Sequence, residues 1–161
     1  MNLTIIYASY TGTTRGIAER VREACGGELV AVASGDFLSR AIAFMGRHAP
    51  GTKAGESGAV REHTDVSGSD LVVIGTPVWG GKPVPAVRNA IVGLTGCSGK
   101  PVILYATCGE KPGETLAILA GELAAKGMII AGQFPFNKTE IEEGTKVNTL
   151  IAAVRDAGTR P

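Results

Sequence analysis

Apolar residues fall into short continuous runs separated by stretches of helical periodicity. Leu3-Thr4-Ile5-Ile6-Tyr7-Ala8 is one such run, rich in β-formers, and reads as a strand buried on both faces. Ile17, Ala18, Val21, Ala24 and Cys25 then recur at helical spacing until Gly26-Gly27 stops the helix. Glu28 to Val32 is a second strand, and Leu71-Val72-Val73-Ile74 a third, ending at Gly75-Thr76-Pro77. Val84, Val87, Ile91 and Leu94 mark a helix with Pro85 in its first turn. Pro101 to Ala106 is strand-like, and Leu116, Leu119, Ala120 and Leu123 form the next helix. Met128-Ile129-Ile130-Ala131 is a fifth strand, followed by a final helix carrying Val147, Leu150, Ile151 and Val154.

Strand and helix thus alternate, and near-continuous apolar strands belong to parallel sheets covered on both faces. The pattern predicts an α/β, doubly wound, three-layer sandwich with right-handed crossovers, in a single domain over residues 1–161. The second crossover is irregular. Phe37, Leu38, Ala41, Ile42 and Met45 predict a short helix, but Gly46 to Ser69 is polar and glycine-rich. Loops of that length are uncommon unless they carry function or motion.

Composition narrows the class. Lys and Arg total 16 against 15 Asp and Glu, which leaves no basic footprint for nucleic acid and no strongly acidic surface. Cys25, Cys97 and Cys108 are odd in number and lack C-x-x-C spacing, which argues against a disulfide framework or a zinc site. No apolar run approaches the roughly 18 residues of a membrane span, and no leader pattern follows Met1. A cytoplasmic protein with no membrane or nucleic-acid partner is expected. Glycine is the outlier, 23 of 161 residues, about twice average usage. Such enrichment marks tight turns or backbone lying close to a ligand.

Ligands of open parallel sheets bind beyond the carboxyl ends of the strands, where strand order reverses. After the first strand stands Ser9-Tyr10-Thr11-Gly12-Thr13-Thr14, running directly into a helix. Hydroxyls and unpaired N–H groups at a helix N-terminus make an anion site, and Gly12 lets backbone curl around a phosphate. A simple threonine-rich cap would not need four hydroxyls and a glycine. The G-x-x-x-x-G-K-[ST] and G-x-G-x-x-G patterns are both absent, so the loop suits one terminal phosphomonoester. After the third strand comes Gly75-Thr76-Pro77-Val78-Trp79-Gly80-Gly81-Lys82-Pro83, with the single tryptophan between turn residues. Its position suits stacking on a planar ring; the plainer role is packing against the following helix. Gly80-Gly81 tolerates positive φ, so the peptide between them is able to turn over and present its carbonyl to a ligand. Thr107-Cys108-Gly109-Glu110 after the fourth strand offers backbone groups to a ring edge, with Cys108 expected to be an inert thiol.

S-x-T-G-x-T after the first strand and G-T-P-V-W-G-G-K-P-x-P-x-V-R after the third resemble the flavodoxin family, over nearly the whole chain. The resemblance implies a five-stranded sheet of order 2-1-3-4-5 with bound FMN, the arrangement for which flavodoxin is a standard example. It also implies that Ser9, Tyr10, Thr11, Gly12, Thr13 and Thr14 surround the FMN phosphate. Thr76, Pro77, Val78, Trp79, Gly80 and Gly81 would line the isoalloxazine, and Thr107, Cys108, Gly109 and Glu110 its pyrimidine end.

The third loop has no aromatic to cover the outer flavin face. Tyr10 and, on the long crossover, Phe37, Phe44, His48 and His63 are the remaining candidates. Core packing for the two phenylalanines and solvated positions for the two histidines are the preferred assignments. Receiver domains share the fold but need acidic residues where this chain has Ala8-Ser9 and Gly75-Thr76, and are excluded. The expected function is a flavodoxin-type electron carrier with non-covalent FMN and redox protein partners. The alternative is an NAD(P)H-dependent FMN or quinone reductase, which needs an open flavin face for a nicotinamide.

Overall fold

The structure is a computed structural model and describes residues 1–32 and 63–160. The expected helix of Phe37, Leu38, Ala41, Ile42 and Met45, together with Phe44 and His48, lies outside the described residues.

Five parallel strands form the main sheet: β1 (Leu3–Tyr7), β2 (Glu28–Ala31), β4 (Leu71–Trp79), β7 (Pro101–Thr107) and β8 (Ile129–Phe136). Their order is β2-β1-β4-β7-β8, the expected 2-1-3-4-5 when these five alone are counted. Two further short strands, β3 (Thr64–Asp65) and β6 (Leu94–Thr95), pair in parallel apart from this sheet. The sequence pattern places Thr64–Asp65 in a loop and Leu94 in a helix. Two-residue strands carry no readable periodicity, so only the pairing reveals them.

The helices cover both faces. α1 (Thr13–Cys25) and α5 (Thr145–Thr159) bury Ile17, Val21, Leu150 and Val154 against Ile5, Val73 and Ile103. α2 (Pro85–Val92) and α3 (Thr115–Ala125) bury Val87, Ile91, Leu119 and Leu123 against Ile6, Ile74 and Leu104. Alternate residues of each central strand thus feed opposite cores, which is why these strands are apolar throughout. No helix among the described residues is long and apolar enough to cross a membrane.

β4 is longer than the sequence pattern indicates. It continues through Gly75-Thr76-Pro77 to Trp79 and turns back as the hairpin strand β5 (Lys82–Pro83). Glycine and proline there look like strand breakers, but β1 pairs with β4 only as far as Gly75. Beyond that point β4 has β7 on one side alone, and Pro77 sits on an edge where its missing N–H costs no ladder bond. β8 likewise runs five residues past the expected Ala131, to Phe136. A short helix that the periodicity does not reveal, α4 (Lys138–Glu143), follows it. Its signal is local: Asn137 accepts from the Glu140 N–H at 2.9 Å while the Glu140 carboxylate reaches back to the Asn137 N–H, a capping box.

One packing constraint locks the middle of the sheet. Gly75 lies in register between Tyr7 of β1 and Tyr105 of β7. A Cβ on Gly75 would stand 2.0 Å from Tyr105 Cζ, so the Tyr105 ring occupies the space a side chain would need. The ring is fully buried, and its hydroxyl donates at 2.8 Å to the Thr14 carbonyl in the first turn of α1. Burial pushes the Tyr105 phenol well up from its usual range, so this donor keeps its proton at all ordinary pH.

Gly75→Ala is expected to cost about 1–3 kcal/mol in urea unfolding, the usual range for overpacking. The double variant G75A/Y105L should lose less than the sum of its single changes, because Leu vacates the clash. Tyr105→Phe keeps the ring but removes the second hydrogen bond to the Thr14 carbonyl, which retains its helical one, and should lose about 0.5–1.5 kcal/mol with the fold retained.

Candidate functional site

The loops after β1, β4 and β7 emerge from adjacent strands at the carboxyl edge of the sheet. They enclose a cavity of about 460 Å³, within the roughly 300–1,000 Å³ of small-molecule sites. Of the residues expected from sequence, Tyr10, Thr11, Thr13, Thr14, Pro77, Val78, Trp79, Thr107, Cys108 and Gly109 line it. Ser9, Gly12, Thr76, Gly80, Gly81 and Glu110 do not. Their placements show what several of these six do instead.

Gly12 adopts φ 90° and caps α1 with backbone alone; no side chain caps the helix, and its first turn holds no acidic residue. Gly12 N–H donates to Ser9 Oγ at 3.2 Å, which shapes the turn ahead of the helix. Thr11 and Thr13 bring their hydroxyls within 3.4 Å of each other. The helix therefore points an uncapped, positive dipole end at a cluster of hydroxyls, with no carboxylate in its own first turn, an environment that suits a phosphate.

Thr14 is buried rather than presented at the surface of the loop. Its hydroxyl pairs with that of Thr107 at 2.8 Å, joining the first loop to the third. One proton makes that bond, so the pair holds a second hydroxyl proton that it does not use. Thr76 is fully buried, and its hydroxyl donates to Pro77 O at 2.8 Å and accepts from Val84 N–H at 3.3 Å. It fastens the base of the β4–β5 hairpin to the start of α2.

The hairpin carries Trp79 at the end of β4. Gly80 and Gly81, at φ 59° and φ 75°, form its two-residue turn, a geometry that other residues enter only under strain. The Gly81 carbonyl is held by Glu114 N–H at 2.8 Å, which seats the turn against the chain leading into α3. Trp79 is 53% exposed, so packing into the core is not its role. Its indole lies 4.7 Å from the half-buried Tyr10 ring at an interplanar angle of 35°. Tyr10, the candidate cover from the first loop, thus meets Trp79 itself. His63, the other described candidate, is exposed next to β3.

The third loop is held from the far side of the cavity. Cys108 N–H and Sγ both donate to Phe136 O, at 2.9 and 3.4 Å, and Lys138 N–H donates to Gly109 O at 3.3 Å. Burial, followed by the nearby Glu140 charge, pushes the Cys108 thiol up, consistent with an unreactive cysteine. α4 adds Lys138, Ile141 and Glu142 to the cavity wall, residues that sequence reasoning missed. The Asn137-x-x-Glu140 capping box was their one legible trace. Lys146 steadies this corner: its Nζ contacts the Glu140 carboxylate and the Pro135 carbonyl and lies 5.5 Å from the Phe136 ring centroid. That contact holds the Glu140 carboxyl below its usual range.

No protein-family model and no curated protein matches this chain. Solved structures do. The two-electron reduced flavodoxin of Megasphaera elsdenii is similar at 19% identity and a TM-score of 0.65, over 98% of this chain and 99% of that one. A flavoprotein of Lactobacillus acidophilus, determined in complex with FMN, is similar at 20% identity and a TM-score of 0.53, over 88% and 97%. A WrbA-like flavodoxin of Agrobacterium tumefaciens is similar at 16% identity and a TM-score of 0.55, over 94% and 97%. Sheet order, helix placement and these near-complete alignments agree, and the chain has the flavodoxin-like fold.

Proposed function

We propose that the chain binds FMN non-covalently in this cavity and acts as an electron carrier. The observation that carries the reading is the uncapped α1 N-terminus with its hydroxyl cluster, opening on a cavity walled by an exposed tryptophan. In this reading the residues from Ser9 to Thr14 hold the terminal phosphate through backbone N–H groups and hydroxyls. Trp79 stands against the ring system, and loop 107–110 presents backbone groups to its polar edge. When bound, FMN supplies a ring system able to exchange one or two electrons. The chain's own contribution is to anchor, orient and partly shield it. Gly80 and Gly81 keep the hairpin turn free of side chains, so its peptide groups are able to approach the ring. The similar FMN complex from Lactobacillus acidophilus and the flavodoxin from Megasphaera elsdenii support the cofactor.

A second reading, an NAD(P)H-dependent FMN or quinone reductase, draws on the 53% exposure of Trp79. A ring shielded by so open a residue would be reachable by a nicotinamide. Oxidation of NAD(P)H by the FMN-loaded protein separates the two: turnover identifies a reductase, and its absence a carrier.

The cofactor assignment is tested by titration followed through flavin fluorescence. FMN is expected to bind far more tightly than riboflavin, since only FMN reaches the α1 N-terminus. Thr11→Ala should weaken FMN by about 1–3 kcal/mol, as for a hydrogen bond to a charged group. Trp79→Ala should weaken it by about 1–3 kcal/mol, as loss of base–aromatic stacking does. Equal affinity for FMN and riboflavin would remove the phosphate assignment.

A further inference from the structure

Trp79 lines a second cavity as well, of about 570 Å³, formed with β5, α2 and α3. Its apolar part consists of the Trp79 indole, Pro83, Pro85 and Val92. Val92 is 77% exposed and, with Trp79, is among the few large apolar side chains left open to water in the described residues. Lys82 and Arg88 border this strip. Arg88 Nε and Nη2 both donate to Glu122 Oε1, at 2.8 and 2.5 Å, so one ion pair bridges α2 and α3 across the groove. Lys126 adds a third cation at the Val92 end, where its Nζ donates to Val92 O and Leu94 O. The chain as a whole is nearly balanced, with 16 cations and 15 acids. Among the residues that line this groove two cations, Lys82 and Arg88, face one acid, Glu122.

An exposed tryptophan and valine between charged side chains have the make-up of a protein interface: an apolar and aromatic centre with a polar rim. The excess positive charge selects an acidic partner. Position narrows the partner further. An occupant of this groove meets Trp79, whereas the hydroxyl loop and loop 107–109 face the other cavity. Hydride transfer needs reacting atoms about 3–3.5 Å apart, which an occupant behind the indole does not achieve. Electron exchange does not demand that contact. We infer that the groove formed by Trp79, Lys82, Pro85, Arg88 and Val92 is the docking surface for an acidic electron-transfer protein, which seats an apolar residue between Trp79 and Val92 and sets carboxylates against Lys82 and Arg88. This assignment of a partner rests on the FMN-carrier reading above.

The full chain, labelled with nitrogen-15, is titrated with an acidic [2Fe–2S] ferredoxin, and separately with a basic c-type cytochrome as the charge-reversed probe. The ferredoxin should shift the Trp79 indole and Val92 amide signals, and Lys82→Glu or Val92→Asp should each weaken its binding about tenfold. Raising the salt should weaken it further. Arg22→Glu, the same charge reversal on the exposed face of α1, should leave binding unchanged. The docking surface is overturned if the cytochrome rather than the ferredoxin moves these signals, if the ferredoxin shifts residues elsewhere, or if the groove variants bind like the parent. The Val92 amide lies outside the FMN cavity, so its signal is readable with or without bound flavin. A chain that binds FMN yet fails this titration overturns the docking surface alone, and one that docks the ferredoxin without binding FMN overturns the cofactor reading alone.

Discussion

The contact between Tyr105 and Gly75 is the constraint on which the site depends. The Tyr105 ring, fully buried at the middle of the sheet, fills the space a side chain on Gly75 would occupy, and its hydroxyl holds the Thr14 carbonyl. One side chain thus spans β7, crosses β4 and reaches the first turn of α1. Because the ring is rigid and its phenol stays protonated, the start of α1 is set against the sheet with little freedom. A helix N-terminus that is to meet an anion must be placed to within a fraction of an ångström. Here its placement is transmitted from the core rather than from the loop.

The hydroxyl-rich loops divide their side chains between cavity and scaffold. Thr14 and Thr107 join two of the loops through a buried hydroxyl pair, and Thr76 fastens the hairpin to α2. Thr11 and Thr13 remain on the cavity side, at the helix end that no side chain caps. Buried hydroxyls are costly unless paired, and Thr14, Thr76 and Thr107 find partners within the structure. Those left at the cavity stay available. The same economy governs the aromatics: Tyr105 and Phe136 meet edge to face in the core, whereas Tyr10 and Trp79 meet at the cavity rim.

Trp79 has its position because β4 outlasts its neighbour. Past Gly75 the strand has lost β1 and retains β7, so it projects beyond the sheet as the arm of a hairpin. Projection exposes the indole, and the Gly80–Gly81 turn returns the chain to α2 with no side chain in the way. The result is one aromatic wall common to two cavities, one walled by the hydroxyl loop and the other bordered by Lys82 and Arg88.

The sequence by itself determined the class of fold, the parallel sheet and the three loops of the site. Buried parallel strands must be apolar on both faces and helices must be periodic, and both patterns are local properties of the chain. The loop Ser9 to Thr14 was legible for the same reason, since hydroxyls beside a helix start are contiguous in sequence. Which of those hydroxyls face the cavity was decided by tertiary structure alone. Thr14 and Thr107 are 93 positions apart, and no local pattern announces that they pair. The extension of β4 to Trp79 was hidden because glycine and proline break strands in general; here Pro77 lies past the end of β1, and Gly75 is required by the Tyr105 ring over it. Lys138, Ile141 and Glu142 reach the cavity through a six-residue helix too short to show periodicity. The fit of Tyr105 over Gly75 belongs to two strands in register, a relation that exists only once the sheet has formed.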